Sequence, residues 1–220
     1  MLLARKTARR LGGSRLSRTP VIRAARPTYR WTLRAIPYRE ELPILLNARG
    51  LLGVAAEVGV AEAEFSDHIL SHWAGRRLIS IDPWLEMAPD EYVDGCNHPQ
   101  AVMEESYEVA RRRLARFGDR SEIWRLRGDE AAERVPHGSL DFVYIDARHS
   151  YEAVREDLTD WFKLVRPGGI ISGHDYNDGV FAEGLHGVRS AVDEFFGERG
   201  LRVYHTRIDV PFASWIVQVP

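Results

Sequence analysis

Residues 141–176 read DFVYIDARHSYEAVREDLTDWFKLVRPGGIISGHDY. Two apolar runs, 142–145 and 169–172, each end on a polar cluster, first Asp146 with His149 and then His174 with Asp175. Between them Ser150 can cap a helix whose apolar positions, Tyr151, Val154, Leu158, Trp161, Phe162 and Val165, recur at helical spacing. Strand, helix, strand predicts a βαβ crossover with parallel strands, so both clusters come to the carboxyl edge of one sheet. Open α/β sheets bind ligands at that edge.

The upstream chain supplies further strands of the same kind. Residues 54–60 (VAAEVGV) hold Glu57 and Gly59 and precede a helical pattern of Phe65, Ile69 and Trp73. Residues 78–82 (LISID) end on Asp82, and residues 123–129 (IWRLRGD) end on Gly128 and Asp129. Acids inside a core strand cost several kcal/mol unless paired, so acids gathered at strand tips point to a polar site outside the sheet. Downstream, Val188, Val192, Phe195 and Phe196 form a helical apolar face, followed by strand runs 201–206 and 214–219. Seven residues separate those runs, too few for a helical crossover, so the pair is predicted to be antiparallel.

These motifs resemble the class I S-adenosylmethionine (SAM) methyltransferases, and within them the small-molecule O-methyltransferases that include macrocin O-methyltransferase-like proteins. The resemblance covers roughly residues 51–220. EVGVAEAEFS (57–66) is similar to the family's first motif, with Ala63 where glycine is common and Ser66 remaining of a hydroxyl pair. IDPW (81–84) resembles the motif whose acid takes the ribose hydroxyls, and RGD (127–129) the adenine-edge motif. YIDARHSYEAV and RPGGIISGHDY, in this order and spacing, are the most specific pieces.

The resemblance implies an α/β, Rossmann-like doubly wound sheet of seven strands, order 3-2-1-4-5-7-6, with an antiparallel final hairpin. It implies a SAM site built from Glu57, Gly59, Ala61, Ser66, Asp82, Pro83, Trp84, Gly128, Asp129 and Asp146. It also implies a reaction centre of Asp146, His149, His174 and Asp175, in which Asp146, His174 and Asp175 could hold Mg²⁺ or another divalent cation. Imidazole at His174, where a further acid is common, favours softer metals. The metal-free reading makes one histidine the base.

Read without the resemblance, the residues are less specific. An acid 23 residues past the Gly59 turn suits a ribose in either a SAM or a nicotinamide enzyme. No G-x-G-x-x-G follows the first strand, which removes the usual pyrophosphate cradle. A NAD(P)-dependent oxidoreductase is therefore the runner-up, and a non-catalytic SAM-binding module is the third reading. Residues 85–100 are an acidic stretch of weak periodicity, read either as a lid over the strand tips or as a plain surface loop. Residues 177–186 are read as a second loop able to close over an acceptor.

At 220 residues and 45% hydrophobic content the chain can build one full core. Its one cysteine, Cys96, excludes a disulfide framework and a cysteine-based zinc site. No apolar run approaches the 18 residues of a membrane span. The net charge of −2 hides an asymmetry. Residues 1–39 carry ten Arg, one Lys and no acid, whereas the remainder carries 19 basic and 32 acidic residues. The resemblance implies a small-molecule acceptor, and the acidic body argues against nucleic acid. Residues 1–39 are expected to be a basic arm, disordered or a targeting segment, and residues 40–220 the catalytic domain. The second half of the arm, with Tyr29, Trp31 and Tyr38, is expected to pack on the domain or on another subunit, which keeps a homo-oligomer open. The expected compartment is cytoplasmic, or an organelle if the arm is a transit peptide.

Overall fold

The computed structural model describes residues 33, 36–88, 95–181, 184–210 and 212–220, all within one compact unit, Trp31–Pro220. The arm's Tyr29 and Trp31 lie outside the described residues.

Seven strands form one sheet. They are β1 (Val54–Val58), β2 (Arg77–Ile81), β3 (Ser121–Trp124), β4 (Leu140–Ile145), β5 (Val165–Gly173), β8 (Tyr204–His205) and β9 (Trp215–Gln218). Their order is β3-β2-β1-β4-β5-β9-β8, parallel except that β9 runs antiparallel to both β5 and β8. This is the expected 3-2-1-4-5-7-6 arrangement, with β8 and β9 as the closing pair. Between β5 and β8 lies an additional antiparallel hairpin, β6 (Asp178–Phe181) with β7 (Gly184–Gly187).

The central strands β1 and β4 and the second half of β5 are buried throughout because both faces of the sheet are covered there. Alternate residues go to opposite cores: Ala55, Phe142 and Tyr144 join one, and Ala56, Val143 and Ile145 the other. The first face is closed by α1 (Leu42–Ala48), α2 (Glu64–His72) and α3 (Gln100–Leu114), through Leu45, Ile69 and Leu114 among others. The second is closed by α4 (Gly128–Ala132), α5 (Tyr151–Phe162) and α6 (Val188–Gly197), through Ala131, Leu158 and Phe195. As the spacing predicts, Ser150 caps α5, its hydroxyl accepting from the Ala153 amide at 3.3 Å. Val165, which the helical pattern included, instead opens β5 and pairs with Leu140. Among the described residues no helix is long and apolar enough to cross a membrane.

The packed body begins before residue 40. Leu33 and Ile36 are buried in the α1–α3 core. The Pro37 carbonyl accepts from the amides of Arg207 and Ile208 at 3.1 Å, and the Arg39 amide donates to Asp209 at 3.0 Å. The C-terminal end of the basic stretch is therefore strapped to the β8–β9 connection.

Candidate active site

A cavity of about 760 Å³ opens at the carboxyl ends of the parallel strands, within the range of small-molecule sites. Of the residues expected to form the SAM site and the reaction centre, all line it except Ser66.

Gly59 makes the first turn possible. Its φ is +84°, and an added Cβ would stand 1.9 Å from the Asp146 carbonyl oxygen. The turn after β1 then continues through two residues that lack glycine's freedom, Ala61 (φ 47°) and Ala63 (φ 61°). Asp82 holds that turn: one carboxylate oxygen accepts from the Val60 and Ala61 amides at 2.9 and 3.0 Å, and the other from the Trp84 amide at 2.8 Å. A carboxylate has about four acceptor sites, so Asp82 keeps capacity for a ligand hydroxyl while organising the loop.

Trp84 lines the cavity but is 1% exposed. Its indole N–H donates to the Ala61 carbonyl at 2.8 Å, and its ring lies 5.0 Å from that of Tyr107. Ser66 is fully buried behind the wall, donating to Glu57 and lying 2.7 Å from the Ser80 hydroxyl. It supports Glu57 and does not face the cavity. Burial pushes the Glu57 carboxyl up to about 8, aided by the nearby Asp146 and Asp82 charges and opposed by Ser66 and Arg39. Asp129 sits in the first turn of α4, two residues past Arg127, which occupies the N-cap and pairs with Asp129 at 3.4 Å.

At the tips of β4 and β5, His149 Nε2 lies 2.9 Å from Asp175, and His174 Nδ1 lies 3.3 Å from Asp175 and 3.9 Å from Asp146. Burial disfavours charge on Asp175, but hydrogen bonds from His149 and His174 outweigh it and hold the carboxyl well below its usual range. Burial opposes charge on His174 as well, yet Asp175 and Asp146 raise its pKa overall. Asp146 is pushed up, mainly by burial. Asp175 holds a φ of 52°, a conformation that non-glycine residues adopt at a cost and that clusters at functional sites.

Among the described residues, the group whose ligand atoms converge within 4.8 Å is Asp146, His149 and Asp175. The sequence pattern put His174 in that set; geometry puts His149 there, and His174 braces the two carboxylates. Two carboxylates and one imidazole suit a divalent cation.

Three lining residues escaped the sequence pattern. Arg39, assigned to the arm by charge alone, lies 3.3 Å from Asp146 with its guanidinium 4.8 Å over the Phe65 ring. His186 on β7 stacks on His149 at 4.5 Å. Asp157 on α5 is buried and pushed up to about 7 by that burial, with Arg148 opposing. Only Asp157 carried a signal, as an acid on the apolar face of its helix.

A family described as a methyltransferase domain matches residues 57–176. An uncharacterised protein of Sinorhizobium fredii, y4gI, is 22% identical over 143 residues; the match takes in 65% of this chain but only 15% of that relative. Among solved structures, an O-methyltransferase from Bacillus cereus in complex with SAH (the demethylated product of SAM) is 18% identical with a TM-score of 0.55. The alignment covers 81% of this chain and 79% of that one. The O-methyltransferase TomG from Streptomyces achromogenes, in complex with SAM, is 17% identical with a TM-score of 0.54, covering 82% and 79%. These likenesses share the fold seen here, and the family match spans the strand tips that line the cavity. The chain belongs to the methyltransferase-domain family.

Proposed function

We propose that this chain is a SAM-dependent methyltransferase that acts on a hydroxyl oxygen of a small molecule. The observation that carries the reading is the row of carboxylates at successive strand tips, Glu57, Asp82, Asp146 and Asp175, all lining one cavity. A ligand bearing a sulfonium, an ammonium and a ribose diol suits that row. A dinucleotide pyrophosphate would meet like charge with no glycine-rich cradle, which disfavours the nicotinamide alternative. The solved B. cereus and TomG relatives, crystallised with SAH and SAM, lend the reading support by likeness.

When bound, SAM supplies a methyl group activated by its positive sulfur. The chain must hold the acceptor oxygen in line with that methyl, exclude water and take the hydroxyl proton. Asp82 is placed for the ribose diol, and Gly59, Ala61, Pro83, Trp84, Gly128 and Asp129 for the nucleoside walls. His149 takes the proton while Asp175 fixes its ring, and protonated His174 keeps Asp146 and Asp175 ionised. A divalent cation, if one is used, is held by Asp146, His149 and Asp175 and acidifies the acceptor hydroxyl. The intact His149–Asp175 pair favours an enzyme over a non-catalytic SAM-binding module. The acidic body keeps nucleic acid out of the proposed acceptors. Calorimetric titration with SAM, SAH and NAD tests the reading: micromolar binding of the first two and none of NAD is expected, and the reverse order would overturn it.

A further inference from the structure

Arg39 lies outside the 57–176 span that carries the family match, yet its guanidinium lines the cavity beside Asp146. Its position is fixed from three sides. Phe65 stacks under it, Tyr144 neighbours it from β4, and its backbone amide is tied to Asp209. Burial works against its charge, but Tyr144 and Asp146 more than restore it. The Arg39–Asp146 pair makes one contact at 3.3 Å, looser than a bidentate fork, and both side chains keep about a quarter of their surface open, 27% and 24%. A guanidinium has five N–H donors, more than the contacts to Asp146, Glu40 and Tyr144 engage.

A cation and an anion held side by side on a cavity wall are complementary to a zwitterion. Resting on the SAM reading above, we propose that the Arg39–Asp146 pair receives the α-amino-acid end of the methyl donor, its carboxylate on Arg39 and its ammonium on Asp146. The pair opens for the ligand and closes on itself in its absence, so the charges stay compensated in both states. Phe65 and Tyr144 orient the fork, which makes Arg39 a residue for carboxylate recognition that lysine cannot replace.

The test compares ligands that differ only at this end. Calorimetry is run with SAH, with its decarboxylated analogue, which keeps the ammonium, and with 5′-methylthioadenosine, which lacks both charges. Wild-type protein should bind SAH at least tenfold more tightly than the decarboxylated analogue. Arg39→Gln should lose about 10- to 100-fold for SAH while leaving the other two nearly unchanged, and Arg39→Lys should recover only part of the loss. Equal wild-type affinity for SAH and its decarboxylated analogue would overturn the proposal, and that arm needs no substituted protein. An Arg39→Gln loss shared by all three ligands would overturn it too, assigning Arg39 to the fold. If wild-type protein binds none of the three, the SAM reading itself fails, a separate outcome.

Discussion

Gly59 and Asp146 meet backbone to backbone, with no room for a single methyl group: the Cβ that Gly59 lacks would lie 1.9 Å from the Asp146 carbonyl oxygen and 2.5 Å from its carbon. The Asp146 amide meanwhile donates to the Val58 carbonyl at 2.7 Å. The turn after β1 and the start of the β4–α5 connection are thus one unit, and the residues they carry, Glu57 and Asp146, are held in fixed relation.

Gly59→Ala should accordingly destabilise the protein by about 2–4 kcal/mol, combining a positive φ with an overpacked contact. The control is Gly197→Ala at the end of α6, where nothing lies within 4 Å. It should be neutral or gain up to about 1 kcal/mol from helix propensity. Urea midpoints of the two variants check this, and equal midpoints would refute the close-approach argument.

Glu57 makes stability depend on pH with a definite sign. Unfolded, its carboxyl ionises around 4.5; folded, it holds its proton to about 8. Unfolding therefore releases a proton between those limits, and stability falls as pH rises through the window, by about 4–5 kcal/mol for a full shift. Glu57→Gln should remove that slope and be more stable than wild type at pH 8.5. The slope that remains is shared by Asp157, which titrates between 3.8 and about 7 in the same sense, and by Asp146 and His174, both raised in the folded state. Urea titrations from pH 4.5 to 8.5 measure these contributions.

The sheet was legible because its signals are local: apolar runs ending on acids, a serine cap, and a spacer too short for a crossover. The β6–β7 hairpin was not. Its strands are four residues each, and its glycines at 179 and 184 take φ of 146° and 140°, which reads as loop. The exposed Val180 and Leu185 are register partners, an alternation too brief to stand out. The roles of His149 and His174 could not be separated in sequence either, since both follow strand ends. Only the strand spacing brings His149 Nε2 to Asp175 and leaves His174 between two carboxylates. Arg39 was hidden by its neighbours, because ten arginines in 39 residues read as a solvated arm.

Asp82 serves the turn as well as any ligand, so its substitution should read out twice. Asp82→Ala should lower SAH affinity by about 1–3 kcal/mol, the worth of charged hydrogen bonds to a diol. It should also cost stability without ligand, because the Val60, Ala61 and Trp84 amides lose their acceptor. Stability loss with unchanged SAH affinity would confine Asp82 to the loop.

Removing residues 1–27 should leave a cooperatively unfolding domain, since that stretch lacks periodic apolar residues. Removing residues 1–40 should not, because Leu33 and Ile36 belong to the core and Pro37 and Arg39 anchor the β8–β9 connection. Denaturation curves of the two truncations decide it; equal stability would place the whole stretch outside the fold.

The chemistry can be divided between a metal and a base by treating the four polar residues at the β4 and β5 tips separately. If Asp146, His149 and Asp175 hold a cation, a chelator should abolish turnover while 5′-methylthioadenosine binding stays nearly intact, because the nucleoside contacts lie on other strand tips. Added divalent metal should restore activity, and Asp146→Asn should cost more than His174→Ala, since His174 stands outside the converging set. If no metal is used, the chelator has no effect and His149→Ala should cost about 10² to 10⁴ in rate, the usual worth of a positioned base. Without a metal, His174 adds a pH signature. Its pKa is raised above 6.5 by Asp175 and Asp146, so it stays protonated below that value and loses its charge as pH rises through the higher folded-state pKa. Its bracing of the two carboxylates should fade over the same interval, giving an alkaline fall in activity that His174→Gln removes. Turnover indifferent to chelator, to Asp146→Asn and to His149→Ala would leave positioning of the two reactants as the sole device.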